Sequence, residues 1–422
     1  MPTVAVRPDR LRSRLESLAT IGRDPAGGIS RFPYSAAHAE AVRLVAAWMA
    51  EAGLQAACDG FGNLIGMRPG AADWPAILLG SHLDSVPQGG MFDGALGVLA
   101  GVEVAQALRD AGRSLQHGLA VVGFADEEGH AFGLGRLGSR CVVGDITREQ
   151  YDTLRGRDGR TLAESIAAFS PGLPRAALPA QSGAYLELHV EQGPVLAQTG
   201  RRVASVGAIT GIARTAVVIE GEANHAGTTP IASRRDALVG AAEIVLMVRG
   251  LVEAEGPPAV GTVGALTVLP GAPNIVPGRA EFTVELRTPD RDRLGRLRKQ
   301  VDVQIGRIAQ RRGLVHHVNP WDHWDPVPMD AGVQEAIRSA IAGAGFEPYT
   351  MPSGAGHDAM ILAPFVPAGM IFVPSVGGIS HSPREWTEWR DAALGAEVLL
   401  RVVLLLDERG LLTRRALPAA LS

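Results

Sequence analysis

Two cysteines, one lysine and no long apolar run set the first limits on this 422-residue sequence. Cys58 and Cys141 are too few for a disulfide framework, so a reducing compartment, the cytoplasm, is expected. Lys299 is the sole lysine and lies in a charged, helix-patterned run, RLGRLRKQ, which disfavours a lysine Schiff base or any nucleophile that relies on lysine. No GxSxG nucleophile elbow occurs. The N-terminal MPTVAVRPDRLRSRLESL lacks the apolar stretch of a secretory signal. The most apolar segment, 398–406, is broken by Arg401 and is far shorter than the ~20 residues of a membrane span, so it reads as a core helix. A basic excess is also missing. Forty Lys and Arg against 44 Asp and Glu give a formal net charge of −4, which offers no field for nucleic acid.

What is present suits a globular chain of about two domains, 46% hydrophobic, whose 52 glycines and 28 prolines imply many tight turns. Helical spacing over 36–53 is followed by strands near 64–67 and 77–79, a helix over 94–111, and a continuous apolar strand at 120–125. That alternation predicts a doubly wound α/β domain. The pattern changes near 209. Strands at 212–221, 259–269 and 279–287, with helices at 234–254 and 290–312, predict an α+β insert with an antiparallel sheet. After Pro320 the first pattern resumes with a helix at 330–344, a strand at 369–373 and a terminal helix. The stretch 153–182 has no assignable periodicity.

Four stretches carry chemistry. GSHLDSVPQGGMFDGALG, starting at Gly80, leaves a buried strand and at once places His82, Asp84 and Asp93 in glycine-rich loop. Open α/β sheets build sites at this carboxyl edge, although Asp93 alone reads equally as a helix cap. FADEEG puts Glu127 and Glu128 at another strand end. Read by itself it is a solvated acidic loop. Read as a site, its neighbouring side chains point opposite ways, so Glu128 holds a metal while Glu127 faces the attacking water. LELHVEQGP contributes His189, and GGISHSP contributes His381 from a Gly/Ser loop; a lone histidine in either place is commonly structural. Taken together, three histidines and two carboxylates from separate strand ends are the ligands that hold two divalent ions, with Asp93 as the natural bridge.

These stretches, with GEANHAGTTP, PNIVPG, SGAGHDA and ISHSPREW in the same order, resemble the co-catalytic two-metal amidohydrolases of the aminoacylase and carboxypeptidase-G type over about residues 10–410. Within them the chain is most similar to the hydantoinase/carbamoylase amidases. The resemblance implies a catalytic α/β domain formed by 1–208 and 320–422, with a mostly parallel sheet flanked by helices. Residues 209–319 would form a lid through which the chain homodimerises. It also implies two divalent ions per subunit (Mn, Co, Ni or Zn) on His82, Asp93, Glu128, His189 and His381. Asp84 would orient His82, and Glu127 would be the general base. His225 would reach a partner's site to stabilise the oxyanion. Asn274 and Arg287 would grip a substrate carboxylate, and Gln192 and the Gly356 backbone would touch substrate. His130 and His357 carry no assigned role. The implied reaction is hydrolysis of the carbamoyl C–N bond of N-carbamoyl-L-amino acids to L-amino acid, ammonia and carbon dioxide. Allantoate, ureidoglycolate or N-carbamoyl-beta-alanine are alternative small ureido substrates. Deacylation of N-acyl amino acids, dipeptide cleavage and silent binding are further alternatives.

Overall fold

The computed structural model describes residues 4–72, 74–409 and 415–417. They form two compact units. The first takes in the chain through Gly207, then Met329–Met351, then the chain from Ala355; the second is Ala208–Pro328 with Pro352–Gly354. The return to the first unit comes at Met329 rather than at 320, because strand Asp322–Trp324 pairs antiparallel with Gly211–Glu220 and so belongs to the second unit's sheet.

In the first unit four strands lie side by side and parallel, in the order His117–Phe124, Trp74–His82, Gln181–Val190, Ala368–Val373. Antiparallel strands flank them: Leu64–Arg68 and Gln55–Cys58 at one side, Ala204–Ile209 at the other. The parallel strands are buried on both faces, which explains their unbroken apolar runs: Ile77, Leu78, Leu79, Val121 and Val122 are fully excluded from water. Helix Ala36–Glu51 starts where the Ser35 side chain accepts the His38 N–H, and it buries Val42, Val45 and Met49. Helix Ala95–Asp110 is buried almost all round, so it lacks the polar stripe of a surface helix. The unassigned stretch contains helix Leu162–Ala168, started by a reciprocal capping box between Thr161 and Glu164 and seated by the buried pair Leu162 and Ile166.

Arg31 ties the N-terminal segment to the sheet's carboxyl edge. It is 2% exposed. Its Nε donates to the Leu83 carbonyl at 2.5 Å, and Nη1 lies 3.2 Å from the carbonyls of Leu18 and Ile21. Burial pulls its pKa down to about 10, against the opposing charge of Asp84. Arg31→Met should lower stability by about 3 kcal/mol in denaturant melts, because it strands buried carbonyls and the Asp84 charge together. An unchanged midpoint would show the tie to be dispensable.

The second unit is an antiparallel sheet in the order Val315–Val318, Gly211–Glu220, Arg279–Thr288, Val260–Leu269. Strand Arg279–Thr288 alternates buried and half-buried residues, and helices Ala237–Glu255 and Arg291–Arg311 bury one of its faces through Phe282, Val284, Ile244, Leu297 and Val301. Among the described residues no helix is long and apolar enough to cross a membrane.

Candidate metal centre

The four parallel strands all end at one edge, and each brings a functional group there. Trp74–His82 ends on His82, His117–Phe124 runs into Glu127 and Glu128, Gln181–Val190 carries His189, and Ala368–Val373 leads to the loop bearing His381. Asp93 enters from the loop after His82.

Asp93 does not cap the helix that follows it: Gly94 occupies that position, and no side chain caps there. Gly94 itself has φ +62°, and a Cβ on it would lie 2.4 Å from His82 Cε1, so the ring's seat requires glycine. The two oxygens of Asp93 face different histidines. Oδ1 lies 3.5 Å from His82 Nε2 and 3.1 Å from His189 Nε2, whereas Oδ2 lies 3.2 Å from His381 Nε2. Glu128 Oε1 approaches the same His381 nitrogen at 3.4 Å. Two ligand sets therefore share one carboxylate: His82, Asp93 and His189, and Asp93, Glu128 and His381.

The donors fit divalent ions. His82 Nδ1 lies 3.1 Å from the Asp84 carbonyl oxygen and His189 Nδ1 lies 2.8 Å from that of Val190. Each Nδ1–H is used there, which leaves the Nε2 lone pair toward the centre. FADEEG is no solvated loop, since Asp126 is fully buried and Glu127 is 9% exposed. Burial and the charges of Asp93 and Glu127 push the Glu128 carboxyl up to about 9. Burial pushes Glu127 up to about 7, with His82 and Arg136 pulling the other way. Hydrogen bonding to Asp93 raises His381 to about 9. Carboxylates so crowded and dry call for positive charge, and imidazole with carboxylate suits zinc, manganese, cobalt or nickel.

Asp84 meets His82 mainly through its main chain. Its carbonyl, not its carboxylate, meets His82; the carboxylate is 3.8 Å from Nδ1 and instead accepts the N–H groups of Glu127 and Glu128, each at 3.2 Å. It fixes the backbone of the acidic pair. Glu127 Oε2 lies 3.9 Å from His82 Nε2, beside the ligands. Gln192, at φ +58°, donates from Nε2 to Asp93 Oδ2 at 3.0 Å, while its buried Oε1 has no hydrogen-bond partner among the described residues. His357 packs edge-on against His189 with centroids 4.5 Å apart, and His130 stacks on Phe32 at 4.0 Å.

In the second unit, His225 and Asn274 are neighbours on a two-stranded ribbon, with the Ala226 N–H donating to the Asn274 carbonyl at 2.9 Å. Arg287 Nε and Nη2 both meet Glu285 Oε1 at 2.8 Å, and Nη1 donates to the Gly354 carbonyl at 2.8 Å.

One supporting residue was not singled out from sequence. Glu385, 4% exposed, accepts the N–H groups of Phe92 and Asp93 at 3.0 Å through Oε1 and the Ser380 hydroxyl at 2.7 Å through Oε2. It clamps the Asp93 loop to the His381 loop; its only signal was an acid just past His381 in ISHSPREW. Glu385→Ala should weaken metal binding about 10- to 100-fold by calorimetry. Unchanged affinity would reduce the clamp to packing.

The family model described as Peptidase family M20/M25/M40 matches residues 78–405. The chain is 42% identical to an N-carbamoyl-L-amino acid amidohydrolase of Geobacillus stearothermophilus, over 94% of this chain and 98% of that protein. It is 34% identical to an allantoate amidohydrolase of Escherichia coli, over 92% and 95% respectively. The crystal structure of an amidase of the hydantoinase/carbamoylase family from Burkholderia multivorans superposes with a TM-score of 0.91 at 34% identity, covering 96% of this chain and 98% of that one.

Proposed function

Since this chain belongs to Peptidase family M20/M25/M40 and, within it, to the hydantoinase/carbamoylase amidases, we propose that it hydrolyses the carbamoyl C–N bond of N-carbamoyl-L-amino acids. The observation that carries this reading is the divided carboxylate of Asp93, facing His82 and His189 with one oxygen and His381 with the other, with Glu127 alongside. Two divalent ions on His82, Asp93, Glu128, His189 and His381 would polarise the ureido carbonyl and acidify water.

Glu127 then acts as the base. It accepts a proton from water as the oxygen attacks the ureido carbon, and it returns that proton to the amino acid's nitrogen as the C–N bond breaks. The other product, carbamate, falls apart to ammonia and carbon dioxide. His225 of a second copy is proposed to stabilise the oxyanion. Its Nδ1 accepts the N–H groups of Gly227 and Thr228 at 3.0 and 3.2 Å, which leaves Nε2–H as a ready donor. Homodimerisation is proposed through the second unit, where Leu266 and Leu269 on edge strand Val260–Leu269 and the 69% exposed Leu246 on the neighbouring helix offer an apolar face; a cytoplasmic location is proposed from the cysteine content alone.

Arg287 and Asn274 are assigned to the substrate carboxylate. The Glu285 and Gly354 contacts hold the guanidinium still, so little order is lost on binding. Arg287→Ala should raise KM about 10- to 100-fold for N-carbamoyl-L-methionine and far less for its α-amide. Equal KM values in variant and parent for both compounds would refute the clamp.

A further inference from the structure

Arg136 is a cation of the first unit that makes no ion pair among the described residues. It follows the acidic pair closely, and its N–H donates to the Glu127 carbonyl at 2.6 Å. Its backbone is held at φ +62°, a left-handed conformation that a long side chain rarely adopts without cause. Nη1 donates to the Met360 sulfur at 3.2 Å, and among the described residues the buried Nε has no hydrogen-bond partner. Among the described residues no carboxylate pairs with it, although nearby Arg140 is matched by Asp145. An orphaned guanidinium nitrogen is costly in a folded chain, and a ligand that accepts its N–H is one way to offset that cost.

The guanidinium's neighbours are those of the reaction centre. A Cβ on Gly356 would lie 2.0 Å from Nη1, so the guanidinium rests in the notch that glycine leaves, at a position assigned to substrate contact. The Arg136 main chain is hydrogen-bonded to Glu127, the neighbour of Glu128 in the acidic pair. Arg287, by contrast, already has an acid partner within its own unit.

We infer that Arg136 binds a carboxylate of the substrate beside Glu127. This rests on the proposed activity, in which the substrate is a ureido acid. Two carboxylates can meet it: that of an acidic side chain, as in N-carbamoyl-L-glutamate, or the α-carboxylate, which it would then share with Arg287. A fork-shaped donor that can grip both oxygens suits either one.

The test compares kcat/KM in the metal-loaded parent, Arg136→Met and Arg136→Lys. The substrates are N-carbamoyl-L-glutamate, its glutamine counterpart, N-carbamoyl-L-methionine and the α-amide of the last. If the side-chain carboxylate is bound, the glutamate-to-glutamine ratio falls at least about tenfold in Arg136→Met and recovers in part in Arg136→Lys. If the α-carboxylate is bound, the acid-to-amide ratio falls instead. Both ratios staying within about twofold of the parent, whether or not the rates drop together, overturns the inference. Titration of glutarate into metal-loaded protein by calorimetry reads the same residue without turnover. Arg136→Met should bind at least about tenfold more weakly, and equal binding, or none by the parent, also overturns it. A parent that binds glutarate in an Arg136-dependent way yet hydrolyses no carbamoyl compound would contradict the proposed activity alone.

Discussion

Glu127→Gln should keep the full metal complement and lose on the order of 10²- to 10⁴-fold in kcat. The amide fills the same volume, so the buried seat of the side chain is preserved, and the Asp84 carboxylate still holds the backbone N–H groups of residues 127 and 128. What disappears is the capacity to take a proton. Burial raises that carboxyl above the usual carboxylate range, and a general base works best when its pKa lies near the operating pH. Metal analysis of the purified variant beside its rate separates the possible results. A lost ion would make Glu127 a ligand, which its grouping with His82 and Glu128 permits on distance alone. A retained rate would move the base elsewhere.

Asp93→Ala should have a still larger effect, because one change removes a ligand from both sets. Activity should fall to background, and metal should no longer raise the melting temperature. A ligand that binds only the native state adds about 2.7 kcal/mol at a hundred times its Kd, so the parent should melt well above its chelated form while the variant should not. His381→Ala offers the contrast. That residue is 49% exposed and serves only the set with Glu128, so the ion on His82 and His189 should remain. Loss of a single ion from Asp93→Ala, with thermal stabilisation intact, would show that its carboxylate does not bridge.

Much of the site was legible because its residues lie beside glycine-rich strand ends, where a run of apolar residues stops and polar ones begin. His82, Glu128, His189 and His381 could be found this way. Asp93 shows where such reading halts. A helix cap and a candidate bridging carboxylate look alike in sequence, and the hydrogen bonding around Gly94 excludes only the cap. Asp84 was legible as a neighbour of His82, but which of its oxygens meets the ring depends on the backbone path. Glu385 could not be read at all. Its partners Phe92 and Asp93 lie 293 and 292 residues away, and only the sheet order brings the two loops together. Arg136 escaped for a different reason: a left-handed backbone decides where its side chain goes, and no periodicity reports that. The insert's strands followed from their alternation. Its far limit did not, because Asp322–Trp324 is short and wholly exposed and is recruited by pairing rather than by an apolar face.

The most direct test of metal-dependent ureido hydrolysis is ammonia and free amino acid release by protein stripped with chelator and refilled with manganese, cobalt, nickel or zinc. The substrates are N-carbamoyl-L- and D-methionine, N-carbamoyl-beta-alanine, allantoate and N-acetyl-L-methionine. The account predicts no release before refilling. After it, ammonia and L-methionine should appear in equal amounts from the L-carbamoyl compound, faster than from any other. Ammonia chiefly from allantoate or the beta-alanine derivative would contradict the substrate assignment. Methionine from the acetyl compound alone, or release undiminished by the chelator, would contradict the central claim.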